Sequence, residues 1–228
     1  MFGLEISSVP VILPTLEQQL GSGFQDAQWI MNAYTLACTS VLMAAGTLAD
    51  RFGRRRMLVL CLWLFGLASL ACGLAEDASL LIAARFVQGV GAGAMMICQF
   101  AILSHQFREP AARARAFAVW GVIAGLGLGF GPMVGALILA VADWRWVFLV
   151  HVPLTLLTLV LLHVSVQESR DPASHRLDIA GMLTLTLSVF ALVYFITQGT
   201  ENGFGTPAML GWAGLSLAAL LLFSLIER

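Results

Sequence analysis

Long apolar runs recur along this chain, and they restrict its fold more than any other feature of the sequence. A membrane-spanning helix needs about 20 mostly apolar residues. Hydrocarbon admits only α-helices or closed β-barrels, because every backbone polar group must be paired, and the alternation of a barrel strand is absent here. Charged residues make up only 11% of the chain, against roughly 25% in soluble domains. The sequence therefore predicts an all-α, polytopic membrane protein.

The runs predict eight spans, of which the first is short. They lie near residues 1–16, 27–47, 57–74, 80–104, 116–142, 146–164, 179–197 and 207–226. This spacing predicts a six-helix bundle over residues 1–166, a cytoplasmic loop over 167–178 and two additional helices over 179–228. Asp171 and Pro172 stop any helix within that loop. Because the first run is short and the last ends without a tail, we expect the chain to be one part of a longer protein.

The distribution of arginine predicts which side of the membrane each loop faces. All 12 basic residues are arginines, and ten of them follow the even-numbered runs. Arg85 lies inside the fourth run, and Arg145 is in a loop on the opposite side. Since basic residues concentrate in cytoplasmic loops, we expect the N-terminus to be cytoplasmic.

The cysteines and histidines do not form a recognisable reactive or metal-binding pattern. Four of each are scattered along the chain without metal-ligand or CxxC spacing. No nucleophile–base pair or phosphate-binding loop is apparent either. The sequence therefore predicts no metal, no cofactor and no enzyme activity, and it gives no indication of a nucleic-acid partner.

A polar string, GTLADRFGRRR at residues 46–56, joins the second and third runs. We expect Gly46 to allow close packing where the second helix ends, Asp50 to cap a helix or pair with an arginine, and Gly53 to permit the chain reversal. The arginines lie at headgroup depth, where lipid phosphate is a further partner. A simple positive-inside anchor with a turn explains the arginines but not the spacing of Gly, Asp and Gly.

That spacing, G-x-L-A-D-R-x-G-R-R, resembles the loop motif of the major facilitator superfamily, and every defined position matches. The resemblance implies a fold in which this chain supplies the N-terminal six-helix bundle, its first helix truncated, plus two linker helices. It also implies a gating loop, formed by Gly46, Asp50, Arg51, Gly53, Arg54 and Arg55.

Arg85 is a basic residue within an apolar run. An arginine near the centre of a membrane helix costs about 2.5–3.5 kcal/mol, so we expect it to face the protein interior and find an acid; the alternative is snorkelling to the outer surface. The string around it resembles the superfamily's span-four motif R-x-x-Q-G-x-G, with Gln88 and Gly89. That resemblance implies a proton-transfer role for Arg85. A dinucleotide-binding interpretation of the glycines is rejected, because they follow no strand.

Glu5 is an acid in the first run, and an intramembrane acid is a functional hypothesis by default. The alternative is that it lies at the cytoplasmic interface, four residues after Met1. The surrounding string resembles the span-one motif of the fourteen-helix drug exporters, with Glu5 at the Asp position. This resemblance implies that Glu5 acts in proton coupling together with Arg85.

Glycines in the fifth run recur every four residues at Gly127, Gly131 and Gly135, which places them on one helix face. Pro132 removes a backbone hydrogen bond and is expected to bend this helix. Ordinary close packing explains such a stripe equally well. The pattern G-x-x-x-G-P-x-x-G resembles the antiporter motif of drug:proton exporters, which implies that these residues seal an interface between bundles.

The resemblance extends over essentially the whole chain and points to the fourteen-helix drug:H⁺ antiporter branch. Residues 143–153, DWRWVFLVHVP, resemble the entry to span six in that branch, with His151 in place of an Asn. The implied function is proton-coupled efflux of drugs or other small amphipathic compounds across the bacterial cytoplasmic (inner) membrane by alternating access.

The implied partners are a small-molecule substrate, protons, the lipid bilayer and a missing C-terminal bundle. Two alternatives remain open at this point. One is a nutrient or metabolite symporter of the same superfamily, and the other is a truncated membrane protein without transport activity of its own.

Overall fold

The computed structural model describes residues 1–170 and 178–227, and within these residues it contains helices and no strand. The helices are α1 (Phe2–Leu20), α2 (Phe24–Ser40), α3 (Leu42–Phe52), α4 (Arg54–Gly73), α5 (Ala78–Gln106), α6 (Pro110–Val141), α7 (Arg145–Leu149), α8 (His151–Ser165), α9 (Ile179–Asn202) and α10 (Pro207–Ile226). The predicted all-α class is confirmed. Asp171, Pro172 and most of the predicted loop 167–178 lie outside the described residues.

Six helical segments of the described chain are long and apolar enough to cross a membrane, or seven if the bent α2–α3 pair counts as one span. Helix α7 with α8 forms one of the six, Arg145–Ser165. Of the eight predicted spans, the first is helix α1, which is not apolar enough to count as a membrane span, although the helix is longer than predicted. Its acids at Glu5 and Glu17 lower its apolar character, and its buried face packs on protein rather than on lipid.

The second predicted span is broken near its middle. Helices α2 and α3 meet at Val41 with a bend of 47°. Hydroxyls just before the break bond back to the preceding turn: Thr39 donates to the Thr35 carbonyl at 2.9 Å and Ser40 to the Leu36 carbonyl at 2.6 Å. Such back-bonding from serine and threonine bends helices.

The predicted turn at residues 46–56 is almost entirely helical. Helix α3 runs through Gly46 to Phe52, and α4 begins at Arg54, so the prediction that the second helix ends at Gly46 is wrong. Gly53 alone separates the two helices, with φ of 109°. Because this backbone conformation disfavours residues with a side chain, Gly53 makes the reversal that the sequence predicted for it.

Glycines bring α5 close to its neighbours. A Cβ at Gly89 would overlap the Tyr34 carbonyl oxygen of α2, and one at Gly93 would overlap the Cys38 carbonyl. Gly91 faces α4 in the same way, where a Cβ would lie 2.9 Å from the Phe65 nitrogen. These approaches place α5 at the centre of the packed helices, and they assign the glycines to helix packing.

Helices α9 and α10 form a hairpin joined by a reciprocal serine pair. The Ser188 hydroxyl donates to the Ser216 carbonyl at 2.9 Å, and the Ser216 hydroxyl donates to the Ser188 carbonyl at 3.0 Å. The aromatic rings of Trp29 on α2 and Tyr194 on α9 lie 5.7 Å apart, which attaches the hairpin to α2.

Candidate functional site

A buried ion pair joins α1 to α5 inside the helical bundle. Arg85 Nη1 donates to Glu5 Oε1, and both side chains are fully buried. The Arg85 side chain therefore lies in the protein interior rather than at its surface, and the Glu5 carboxylate is enclosed by protein as well. The structure gives Arg85 the interior position and the acidic partner that its sequence context predicted.

Arg85 donates two further hydrogen bonds, one to α2 and one within its own helix, α5. Nη1 also donates to Gln88 Oε1 at 2.6 Å, and Nε donates to the Ile30 carbonyl at 3.1 Å. Gln88 Nε2 donates in turn to the Ser69 hydroxyl at 2.9 Å. A buried charge is tolerated only when it is paired and hydrogen-bonded, so this network is what holds the guanidinium at this depth.

Two aromatic rings lie beside the guanidinium. The Arg85 Cζ atom lies 4.2 Å from the ring centroid of Tyr34 and 5.7 Å from that of Phe148. Cation–π attraction is strongest where the cation is desolvated. The two rings, both fully buried, thus add electrostatic support to the ion pair.

His151 is the third ionisable side chain of the cluster, and the sequence-based reasoning missed it. Its Nδ1 lies 3.1 Å from Glu5 Oε2 and 3.1 Å from the Val147 carbonyl oxygen. The imidazole is fully buried and packs edge-on against Phe65, with ring centroids 5.6 Å apart. Its presence in an apolar run was the available signal, because a polar side chain inside a membrane helix needs a partner.

The predicted antiporter glycines form a contact seam between α6 and α1. A Cβ at Gly131 would overlap the Ser7 side chain, and one at Gly135 would lie 3.0 Å from the Ser8 carbonyl oxygen. The Ser7 hydroxyl bonds to the Gly127 carbonyl across the seam at 3.3 Å. This seam lies within the chain, against the helix that carries Glu5, while Pro132 is on the exposed side of a helix that continues through it.

The predicted gating residues lie at the other end of α4, away from the buried cluster. Arg54 pairs with Asp50 across the helix junction, with Nη2 2.7 Å from Oδ1. Arg55 Nη2 lies 3.0 Å from His163 Nδ1, whereas Arg51 is exposed and lies 5.8 Å over the Phe52 ring. Gly46 is not a site of close packing, since a Cβ added there would lie 3.6 Å from the Ile97 side chain, an ordinary van der Waals distance.

Glu168 is a further residue that the sequence did not reveal. Its carboxylate accepts from the backbone N–H groups of Arg55 and Arg56, both at 3.1 Å, and the Arg54 N–H donates to the Ser169 carbonyl at 3.0 Å. A carboxylate at a helix N-terminus satisfies unpaired N–H groups and interacts favourably with the helix dipole. The segment after α8 therefore fixes the start of α4.

The sequence of the whole chain matches one family model. The model of the Major Facilitator Superfamily matches residues 1–227. The chain belongs to the Major Facilitator Superfamily. The family predicted from the loop at residues 46–56 is thus confirmed, and the chain is a multi-pass membrane protein of a transporter family.

Relatives within the Major Facilitator Superfamily carry names that refer to drug resistance. The puromycin resistance protein pur8 of Streptomyces alboniger is 36% identical over 225 residues, which cover 99% of this chain and 44% of pur8. The multidrug resistance protein Stp of Mycobacterium tuberculosis is 35% identical over 228 residues, which cover 100% of this chain and 42% of Stp. The chain thus spans less than half the length of these curated relatives.

Solved transporters share the fold of this superfamily member. The human organic anion transporter MFSD10 aligns with a TM-score of 0.59 at 17% identity, covering 99% of this chain and 69% of that structure. An auto-inhibited POT family peptide transporter aligns with a TM-score of 0.61 at 16% identity, covering 97% of this chain and 49% of that structure. At such identities the similarity supports the helical architecture alone.

Proposed function

We propose that this chain is the N-terminal part of a proton-coupled exporter of drugs or other small amphipathic compounds. The exporter belongs to the fourteen-helix branch of the superfamily and works by alternating access in the bacterial cytoplasmic membrane. Residues 1–166 supply the first bundle, 167–178 a cytoplasmic loop and 179–228 two linker helices. The names and lengths of the relatives support the drug substrate and a second bundle.

The observation that carries the proposal is the buried pair of Glu5 and Arg85. A carboxylate that faces a guanidinium has two states: ionised and paired, or protonated and released from the pair. Because each state favours a different arrangement of α1 and α5, binding and release of a proton can bias a two-state transporter. The small-residue seam between α1 and α6 keeps α1 packed while that change occurs.

At the cytoplasmic face, the proposal assigns Asp50 and Arg54 to a latch. Their ion pair bridges α3 and α4 at the single-residue break of Gly53. Arg51 and Arg55 lie beside that break, and in this proposal they close on a surface of the second bundle.

Replacing Arg85 with alanine tests the coupling role. Removing one partner of a buried ion pair leaves an uncompensated charge, at a cost of about 3–5 kcal/mol. We expect R85A in the full-length transporter to abolish drug accumulation in everted membrane vesicles energised by a pH gradient. The matched control is R108A, which removes an exposed arginine far from the pair.

Unchanged drug accumulation by R85A, at equal amounts of membrane-inserted protein, would contradict the coupling role of Arg85.

The direction of proton movement distinguishes the proposed antiporter from a symporter. Drug added to acid-loaded everted vesicles should dissipate the pH gradient, whereas a symporter would carry protons together with its substrate.

A further inference from the structure

We propose that a groove between the end of α5 and the start of α6 binds an acidic phospholipid, with the lipid phosphate on Arg115 and an acyl chain along the groove. The groove is separate from the buried pair of Glu5 and Arg85. This inference goes beyond the proposed transport activity and depends only on the proposed orientation of the chain in the membrane.

The groove is apolar, with one cation at its rim. Its volume is about 430 Å³, within the range of about 300–1,000 Å³ that is typical of ligand pockets. Its lining consists of Leu103, Phe107, Ala112, Arg115, Ala116 and Val119. Arg115 is the one charged residue among these six, and Val119 is 59% exposed. An apolar wall beside a cation matches the acyl chain and the phosphate of an acidic lipid.

Large side chains keep α5 and α6 apart and so leave room for the groove. The backbones of the two helices approach each other at few positions. The helices meet instead through rings: the Phe100 centroid lies 4.6 Å from that of Trp120 and 5.9 Å from that of Phe117. Trp120 Nε1 also donates to Gln99 Oε1 at 3.1 Å. Because the distance between packed helices depends on the side chains at their contact, these rings hold α6 further from α5 than glycines would.

Two arginines in the first two turns of α6 differ in their partners. Arg113 donates to the Ser104 hydroxyl and, at 3.3 Å, to the Ser104 carbonyl. Arg115 is exposed and makes no hydrogen bond or ion pair with the described residues. Its guanidinium is therefore available to a phosphate, which arginine binds through two parallel hydrogen bonds.

The depth of Arg115 fits the headgroup layer of the membrane. It is the sixth residue of α6, so it lies about 8 Å along the helix at 1.5 Å per residue, and its long side chain reaches back towards the surface. In the proposed orientation, this end of α6 faces the cytoplasm. The cytoplasmic leaflet carries acidic lipids that attract basic segments.

Charge favours a lipid over a helix of the second bundle as the occupant. Residues 108–115 already contain three arginines and one acid. The cytoplasmic ends of membrane helices are rich in basic residues, so a further helix end would bring like charge to this groove. A phosphodiester brings the opposite charge.

Quenching by nitroxide-labelled lipids tests the groove directly. The 228-residue chain with the substitution A112C carries a bimane label in the groove, since the native cysteines are all buried. The nanodiscs consist of phosphatidylcholine with a small fraction of nitroxide-labelled phosphatidylglycerol or nitroxide-labelled phosphatidylcholine. Because one arginine near the membrane surface is worth roughly a fivefold preference for acidic lipid, we expect phosphatidylglycerol to quench at about one fifth of the concentration that phosphatidylcholine needs.

Variants in the labelled chain separate charge from shape. R115Q should remove the preference for phosphatidylglycerol, and R115K should retain it. R108Q removes an exposed arginine outside the groove and should also retain it. A116F fills the groove with an uncharged ring and should remove the preference, whereas V122F adds the same ring at an exposed position of α6 outside the groove and should not.

The proposal is overturned by equal quenching by the two lipids in the parent chain, by loss of the preference in R115K, by equal losses in R115Q and R108Q, or by an unchanged preference in A116F. The same label in the full-length transporter tests the other occupant: if neither lipid reaches it, the second bundle covers the groove, and the proposal is overturned as well. These measurements involve no transport, so the proposed drug export stands or falls separately.

Discussion

At the scale of single residues, Gln88 shares with Glu5 the task of positioning Arg85, since both accept a hydrogen bond from Nη1. It accepts from Arg85 Nη1 and donates to Ser69, so it connects the ion pair to α4. Both contacts are buried, where an unmet hydrogen bond costs more than a satisfied one contributes.

Replacing Gln88 with alanine should therefore destabilise the bundle. We expect Q88A to lower the free energy of unfolding by about 1–3 kcal/mol, because Arg85 and Ser69 each lose a buried partner. Unfolding by sodium dodecyl sulfate in mixed micelles measures the change. Q106A, at the exposed C-terminal end of the same helix, is the control, and an equal loss in Q88A and Q106A would show that the contacts carry no stability.

The sequence was informative about these residues to different degrees. The interior position of Arg85 followed from the cost of an arginine in hydrocarbon, which leaves few stable alternatives. The convergence of Glu5 and His151 did not follow, because they are 146 positions apart (151 minus 5) and meet only where α1 packs beside α7, just before His151. Local sequence carries no information about such a contact.

At the scale of helices, backbone proximity around α5 sets the packing. Gly89 is part of the predicted span-four motif, and a Cβ there would overlap a carbonyl oxygen of α2 rather than a movable side chain. Backbone atoms cannot move away without shifting a whole helix, so even one methyl group is expected to matter.

The substitution G89A should cost about 1–3 kcal/mol of unfolding free energy through overpacking. Gly129 on α6 has no atom within 4 Å of a Cβ, so G129A should be neutral or stabilising by up to about 1 kcal/mol from helix propensity. Thermal unfolding of the two variants in detergent gives the comparison. Equal melting temperatures would contradict the close approach of α5 to α2.

The helical class and the approximate positions of the helices were predictable from the apolar runs, whereas the number of spans and the breaks between helices were not. The sequence predicted a turn over residues 46–56, but Glu168 caps α4 from 113 positions away, so the helix begins directly after Gly53. The bend at Val41 follows from hydrogen bonds of side-chain hydroxyls, such as that of Ser40, to the preceding turn. These bonds depend on side-chain rotamers, and no proline marks the bend in the sequence. Long-range capping and rotamer choice are not contained in local patterns.

At the scale of the whole molecule, the distribution of arginines predicts the orientation of the chain in the membrane. Glu76 is exposed between α4 and α5, and Arg108 is exposed between α5 and α6. The native cysteines of the structure, Cys38, Cys61, Cys72 and Cys98, are all buried. A single cysteine added to a loop should therefore react with a maleimide without background from the native cysteines, and it reports on which side of the membrane that loop lies.

We expect E76C to react with a membrane-impermeant maleimide in intact cells, and R108C to react only after permeabilisation. The reason is the concentration of basic residues in cytoplasmic loops. The reverse pattern of labelling would invert the topology and place Asp50 and Arg54 on the outer face.

The central claim is that the buried pair of Glu5 and Arg85 couples proton movement to drug export. The most direct test is the pH change evoked by drug in proteoliposomes that contain the full-length transporter, with wild type and E5Q compared at equal drug binding. We expect drug to drive protons in the opposite direction in the wild type and to move none in E5Q, because the neutral amide cannot form the ion pair. Proton movement in E5Q equal to that of the wild type would contradict it.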